Sequence, residues 1–487
     1  MNKRMQGFAL LAARLAARLA ALLVPLLWVT TAQAQQQTAA QVNQPDGWNA
    51  DLLLPEPQDL NADPSILEFN LEAVVKEMEI LPGKKTQVWT YNGYLPGPLI
   101  RLKVGDRLIV HFKNSLPAPT SIHWHGLRIT NAMDGVPGFT QAMINPGEEF
   151  TYDYVVPDAG TFWYHPHVDS AAQVGYGLYG PMVVDDPQAK AVPGDELILL
   201  LSDMSLTEDG QLQDPKVGGR FGDLFGREGN VLLVNGKVMP TLKMRQGKQQ
   251  RWRVINAART RYYTLRYRRS PLVILGGQAG MASRTRTVNE LKVVPGERFD
   301  FVFTPPDDPG TEGVLKWYPT DRGYGSTYNR LAEDLVRMVT VDEPAVTPEA
   351  VPELLRSDIA PLDITGAKEQ TLNLTIGYDQ NDDVSMGING VHHEHAVPII
   401  AKVGETQVWT VRNDTDFSHP FHMHGFFFQV LDPVEGVLEW RDTVDVPQHT
   451  ELKLAVQFDN RPGMWMYHCH ILDHAEVGMM GHLHVEP

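Results

Sequence analysis

Three copies of one pattern run through this chain, and they restrict its fold more than any other feature. The copies are Asn92-Gly93, Gly105 and Asn114; Asn235-Gly236, Gly247 and Asn256; and Asn389-Gly390, Gly404 and Asn413. The step from the later glycine to the last asparagine is nine residues each time. Asn-Gly favours the tight turn of a β-hairpin, because both residues tolerate positive φ. A turn, a loop, a second turn and one strand, repeated three times, imply three similar β units in tandem. The segments around the first copy agree. Leu67–Val75, Thr86–Tyr91, Arg107–Phe112, Glu149–Val156, Thr161–Tyr164 and Met182–Val184 are short apolar runs with polar alternation, broken by Gly, Pro, Asn and Asp. Helical periodicity is scarce, so the expected class is all-β, with three β-sandwich domains. Their expected spans are 65–187, 188–343 and 367–487, with candidate linkers at Asp185–Gly194 and at the proline-rich residues 344–366.

A second repeat joins only the first and last units. Gly160-Thr161-Phe162-Trp163-Tyr164-His165-Pro166-His167 aligns with Gly463-Met464-Trp465-Met466-Tyr467-His468-Cys469-His470. Likewise His123-Trp124-His125-Gly126 aligns with His422-Met423-His424-Gly425. Four His-x-His pairs therefore occupy equivalent places in two copies of one fold. On a strand, each pair would put two imidazoles on one face, ~7 Å apart. If the two units meet face to face, eight neutral nitrogen donors converge, which suits a cluster of copper ions. The middle unit lacks both pairs and reads as a spacer and wall. A fifth pair, His482-Leu483-His484, reads as ordinary terminal-strand residues.

One of the four pairs straddles Cys469, the only cysteine of 487 residues. His474 follows it by five residues and Met479 by ten. His419, three residues before His422, can turn away from the cluster to join Cys469 and His474. A thiolate, two imidazoles and a weak thioether form the ligand set of an electron-transfer copper site. Alternation along the strand would wire that copper to metals on the opposite face.

Composition bounds the rest. Lys3 and Arg4, an Ala/Leu-rich run to Trp28 and Ala32-Gln33-Ala34 read as a cleaved signal peptide over residues 1–34, with general export preferred over a twin-arginine route. The expected location is periplasmic or secreted, without stable membrane insertion. Residues 35–64, rich in Gln, Ala, Asn, Asp and Pro, read as a flexible lead-in. A lone cysteine in an exported chain excludes an internal disulfide. The whole chain carries −17, and loss of Lys3, Arg4, Arg14 and Arg18 would leave the mature form at −21, which argues against nucleic acid as a partner.

The motifs His-Trp-His-Gly, His-Pro-His, His-Pro-Phe-His-Met-His-Gly and His-Cys-His-x3-His-x4-Met resemble the four copper motifs of the multicopper oxidases, and the bacterial three-domain laccase-like enzymes in particular. Gly97-Pro98-Leu99-Ile100-Arg101 and Trp440-Arg441-Asp442-Thr443-Val444 extend the resemblance over the mature chain. It implies three cupredoxin-like Greek-key domains and four copper ions. Cys469, His419, His474 and Met479 would hold type 1 copper. His123 and His422 would hold type 2. His125, His165, His167, His424, His468 and His470 would hold the type 3 pair. A small reducing substrate would give up single electrons near His474 or His419, and dioxygen would be reduced to water at the trinuclear site. Asp134 would be an acid near type 2 copper, although Asp134-Gly135 also reads as a plain turn. The acid that many relatives carry after the type 1 histidine is Ala475 here, and Glu476 would point the other way on a strand.

The expected function is oxidation of phenols or aromatic amines, with a cuprous oxidase serving copper tolerance as the alternative. No methionine cluster precedes the third unit, since residues 344–380 contain no Met. His392, His393 and His395 read as a solvated turn rather than a metal site. A copper-free structural relative would have lost ligands, and none is lost. Both halves of the cluster lie in one chain, so a monomer is expected.

Overall fold

The computed structural model describes residues 52–305, 308–323, 330–342 and 345–487. The expected signal peptide lies outside the described residues. Six sheets form three sandwiches in series. The first pairs a four-stranded sheet around Ile66–Leu81 and Arg107–Ser115 with a four-stranded sheet holding His123–His125 and Gly160–His165. The second sandwich has six- and five-stranded sheets, and the third two five-stranded sheets.

The triple repeat has a physical cause. Asn92, Asn235 and Asn389 adopt φ of 53°, 50° and 58°, and the following glycines 75°, 74° and 74°, so each pair closes a two-residue hairpin. Each asparagine oxygen also accepts a backbone N–H from the first strand of its own domain, at Glu72, Leu200 and Asn373. The later asparagines brace loops. Asn114 Nδ2 donates to Ala118 and Ile144 carbonyls, Asn256 Nδ2 to Arg261 and Val293, and Asn413 Nδ2 to Phe417 and Val446. In every domain the strand that ends at that asparagine, or one residue past it at Ser115 in the first, pairs in parallel with the domain's first strand.

The expected flexible lead-in is ordered where it is described, and the expected linker is packed. Residues 52–64 are docked: Leu52 is buried and its carbonyl accepts from Asn235 Nδ2, and the Pro55 carbonyl accepts from Leu99 N–H. The described part of the 344–366 segment lies along the body, with Leu355 buried beside Leu275 and Val302 and Leu362 N–H donating to Gln429. Among the described residues no helix is long and apolar enough to cross a membrane.

Candidate metal centre

The two ligand-bearing sheets present their histidines to one another. His123 pairs across strands with His165, and His422 with His468. Only His123–His125 lies wholly on a strand. In the other three pairs the strand ends at His165, Met423 or Cys469, so His167, His424 and His470 sit just past it. The chain still turns these rings inward, with centroids 5.0–6.3 Å apart within the four pairs. Between domains, His123 stacks on His424 at 3.8 Å and His125 on His422 at 3.9 Å.

This packing fits metal ions. His123 Nε2, His125 Nδ1, His165 Nε2, His422 Nε2 and both ring nitrogens of His470 are buried without any hydrogen-bond partner. A polar atom left so costs free energy that a metal would recover. The ligand nitrogens of His123, His422 and His424 lie within 4.8 Å of one another, as do those of His123, His125 and His165 and those of His167, His424 and His468. Burial, reinforced by neighbouring imidazoles, holds His125, His165, His424, His468 and His470 well below the usual histidine range and takes His167 down to about 3. Their lone pairs are therefore free at neutral pH.

Carboxylates orient several of these rings. His424 Nδ1–H donates to Asp134 Oδ2 at 2.9 Å, and His123 Nδ1 lies 2.8 Å from the Asp134 carbonyl. Asp134 is thus a buried group joining both domains, not only a turn residue. On the far side, His125 Nε2 lies 3.2 Å from Asp442 Oδ1, and His422 Nδ1 lies 3.0 Å from the Asp442 carbonyl. Burial works against the ionised Asp442 carboxyl, yet Arg298, bonded through both terminal nitrogens at 2.6 and 2.5 Å, holds it well below the ordinary carboxylate range.

Arg298 comes from the middle domain, which is more than a wall. Its Nε–H also donates to the Thr161 carbonyl of the first domain. Gln278 reaches from the same domain to Asp442 and Thr443. Gly296 lies flat against the cluster: a Cβ there would sit 2.8 Å from His470 Cδ2 and 3.1 Å from His125 Cε1. Asp442 stood in a recognisable motif, whereas nothing in the sequence marked Arg298, Gln278 or Gly296.

Cys469 points to the other face of its strand. Its Sγ lies 3.6 Å from His419 Nδ1 and 3.7 Å from His474 Nδ1, and those nitrogens are 3.1 Å apart. The opposite edges are held: His474 Nε2–H donates to the Leu224 carbonyl at 3.1 Å, and His419 Nε2 meets Thr415 Oγ1 at 2.9 Å. Both Nδ1 lone pairs therefore face the sulfur, a three-donor site of single-ion size. Met479 is fully buried in the same core, its N–H bonded to the His474 carbonyl and its carbonyl to Cys469 N–H. Neither His419 nor His474 reaches the surface, contrary to the expected electron entry. The helix Gly219–Phe225, which supplies Leu224, covers His474.

The segment after Cys469 is a short helix, Leu472–Glu476, not a strand. Asp473 is buried within it and takes Arg227, Arg259 and Thr260 of the middle domain as partners. Glu476 turns away to accept Ser170 N–H at 2.6 Å, at the start of the helix Ser170–Tyr176. It does not stand in for the acid missing at Ala475.

Removing metal should expose this chain to acid. Burial lowers His474 and His167 from 6.5 to about 3. The unfolded chain takes up these protons below 6.5 while the folded chain refuses them, so stability is complete above 6.5 and declines as pH falls toward 3. Copper-stripped protein is expected to unfold at a higher pH than loaded protein, because bound metal competes with those protons. Acid unfolding followed by circular dichroism measures both midpoints, and coincident midpoints would contradict buried neutral imidazoles.

Comparison with known proteins agrees with this site. Family models described as multicopper oxidase match residues 73–189, 195–311 and 363–487. A multicopper oxidase of Mycobacterium tuberculosis is 30% identical over 82% of this chain and 83% of its own. A laccase of Bacillus subtilis is 27% identical over 81% and 89%. A solved structure, a multicopper oxidase from Campylobacter jejuni described as a metallo-oxidase, is 29% identical and superposes with a TM-score of 0.80 over 91% of this chain and 96% of that one. Sequence, fold and metal-ready geometry converge: the chain belongs to the multicopper oxidase family, copper-dependent oxidoreductases that use dioxygen.

Proposed function

We propose that this protein is a laccase-like oxidase. It takes single electrons from small phenols or aromatic amines and reduces dioxygen to water with four copper ions, one type 1, one type 2 and a type 3 pair. The observation that carries the reading is the strand Gly463–Cys469, whose one face turns Cys469 toward His419 and His474 while the other turns His468 toward the cluster. Bound copper supplies the one-electron redox chemistry and the reduction of dioxygen. Cys469, His419, His474 and Met479 would hold type 1. His123 and His422 would hold type 2, and His125, His165, His167, His424, His468 and His470 type 3. The chain acts by fixing these rings in one tautomer and excluding water. An export signal over residues 1–34, a periplasmic or secreted location and a monomeric state belong to the same proposal.

The helix over His474, Gly219-Arg220-Phe221-Gly222-Asp223-Leu224-Phe225, carries two phenylalanines and no methionine. Such a cover suits an aromatic donor better than a soft cation. The metallo-oxidase among the structural relatives favours a second reading, Cu(I) as the electron donor. Turnover of a phenol and of Cu(I), compared on copper-loaded enzyme under oxygen, separates them. Fast phenol oxidation supports the first reading, and Cu(I) turnover far above it replaces that reading with the second.

Asp134 is suited to move protons at the cluster, being buried between His123 and His424. Asp134→Asn keeps an acceptor for His424 but cannot take up a proton. It is expected to slow dioxygen reduction roughly 10²-fold with copper content unchanged. Parent-like turnover would leave Asp134 a purely orienting role.

A further inference from the structure

The strand Gly463–Cys469 pairs antiparallel with the terminal strand Met480–Glu486, and three successive same-face pairs are Met464 with His484, Met466 with His482, and His468 with Met480. Alternate residues on these strands, Trp465, Tyr467, Cys469, Leu483 and Val485, fill the core of the third domain. The other face, which carries the three pairs, is the one that bears His468 into the cluster. The six residues of these pairs are all thioether or imidazole, and Glu486 ends the same face of the terminal strand. Exposure falls along the strand Gly463–Cys469, from half-buried Met464 through Met466 at 6% to His468 at 1%, while His484, His482 and Met480 on the terminal strand are all half-buried. The His484 pair is flanked by Ile400, 43% exposed on the sheet's edge strand. At the inner end, Met466 accepts His424 N–H through its carbonyl. Phe139, from the loop that carries Asp134, packs on the His482 ring at 5.3 Å.

Directly paired residues have Cβ atoms about 4.5–5.5 Å apart, and successive same-face pairs follow at about 7 Å. A sulfur and an imidazole nitrogen from one pair can therefore close on a single ion, and the next pair lies one side-chain length further in. Neutral thioether and imidazole donors in low number select Cu(I) over harder divalent ions. Aliphatic side chains would cover this face equally well if packing were its only task. We propose that these pairs form a Cu(I) ladder that loads the buried cluster from the surface at His484 and Met464. The His482-x-His484 pair is thereby functional rather than an ordinary strand end. The ladder reaches His468 and His424 and stays on the face opposite the Cys469 thiol, so it serves assembly of the cluster and not electron entry. Cu(I) moves along it without change of charge or oxidation state.

This inference rests on the proposed trinuclear copper site, and its test separates the two. Full-length protein stripped of copper is reloaded anaerobically with Cu(I) supplied as its acetonitrile complex, then oxidised at intervals. In Met464→Leu/His484→Gln and in Met466→Leu/His482→Gln, the type 2 paramagnetic signal and dioxygen consumption are expected to recover roughly tenfold more slowly than in the parent. The thiolate–copper visible band should return at the parental rate, and copper per chain at completion should match the parent. Parental recovery rates in both variants overturn the ladder. Failure of the parent itself to gain a trinuclear signal overturns the copper-site reading instead. A second measurement needs no variant: copper-loaded parent is titrated with Ag(I), a closed-shell stand-in for Cu(I), and its ligands are read by X-ray absorption. Mixed sulfur and nitrogen ligation supports the ladder, and oxygen and nitrogen alone overturns it.

Discussion

Asp442→Ala is expected to cost the protein about 3–5 kcal/mol and to empty part of the cluster. Arg298 and Asp442 are both fully buried, and their two-point contact joins the middle domain to the third. Truncating the acid strands a guanidinium in the interior, whose remaining partners are the Thr161 and Gly296 carbonyls. An unpaired buried charge is among the few causes of losses this large. The second consequence is chemical. Asp442 accepts from His125 Nε2, which leaves Nδ1 as the lone pair turned inward. Without the carboxylate the Thr443 hydroxyl, also 3.2 Å from Nε2, is left to hold that tautomer less firmly, and loss of such an outer partner typically costs about 10–100-fold in metal affinity. Thermal unfolding of copper-free protein reads the first effect and copper per chain the second. The double variant Arg298→Met/Asp442→Leu should recover much of the stability, since a buried ion pair exchanged for apolar side chains is often neutral. It should recover little copper, since the Thr443 hydroxyl, 3.2 Å from His125 Nε2, is then the one group left to orient that ring in place of a carboxylate. Restored copper in the double variant would mean that Asp442 acts only through the fold.

The sequence made some of this visible, and the boundary is physical. Asn92-Gly93 and its two counterparts were readable because positive φ at two adjacent residues admits few residue types, so the turns recur with little variation. The histidines and Cys469 were readable because metals accept few donor atoms. The position of His167, His424 and His470 beyond their strand ends was not, since a period-two pattern does not say where pairing stops. The element carrying Glu476 was misread for the same reason, although the side chain does turn away: Leu472-Asp473-His474-Ala475-Glu476 follows a strand but coils into a helix, clamped through Asp473 by Arg227 and Arg259. Those arginines, like Arg298 and Gln278, lie 144 to 246 residues from their partners, and no local pattern marks them. The burial of His474 under Leu224 was hidden likewise, since the cover is carried by a middle domain that bears no ligand.

Cys469→Ser should end oxidase turnover while leaving the cluster metallated. Serine is close in size, and the side chain lies in a buried pocket with His419 and His474 as polar neighbours, so little stability is at stake. The donor changes from a soft thiolate to a neutral hydroxyl, and this chain has no other cysteine to replace it. Burial raises the Cys469 thiol far above its ordinary range, so ionisation of the sulfur must be driven by the metal itself, which a hydroxyl resists still more. The intense visible band is therefore expected to vanish together with one copper per chain. The eight cluster histidines lie on the opposite face, and their carboxylate partners, Asp134 and Asp442, sit on other segments. The type 2 paramagnetic signal should consequently survive, and dioxygen should still react once with the chemically reduced cluster. Loss of the cluster along with the band would show that Cys469 holds the interface and not merely the route between the two sites. Phenol oxidation persisting without the band would mean that electrons reach the histidines without the thiolate, and the alternation of Cys469 against His468 would then have no part in the reaction.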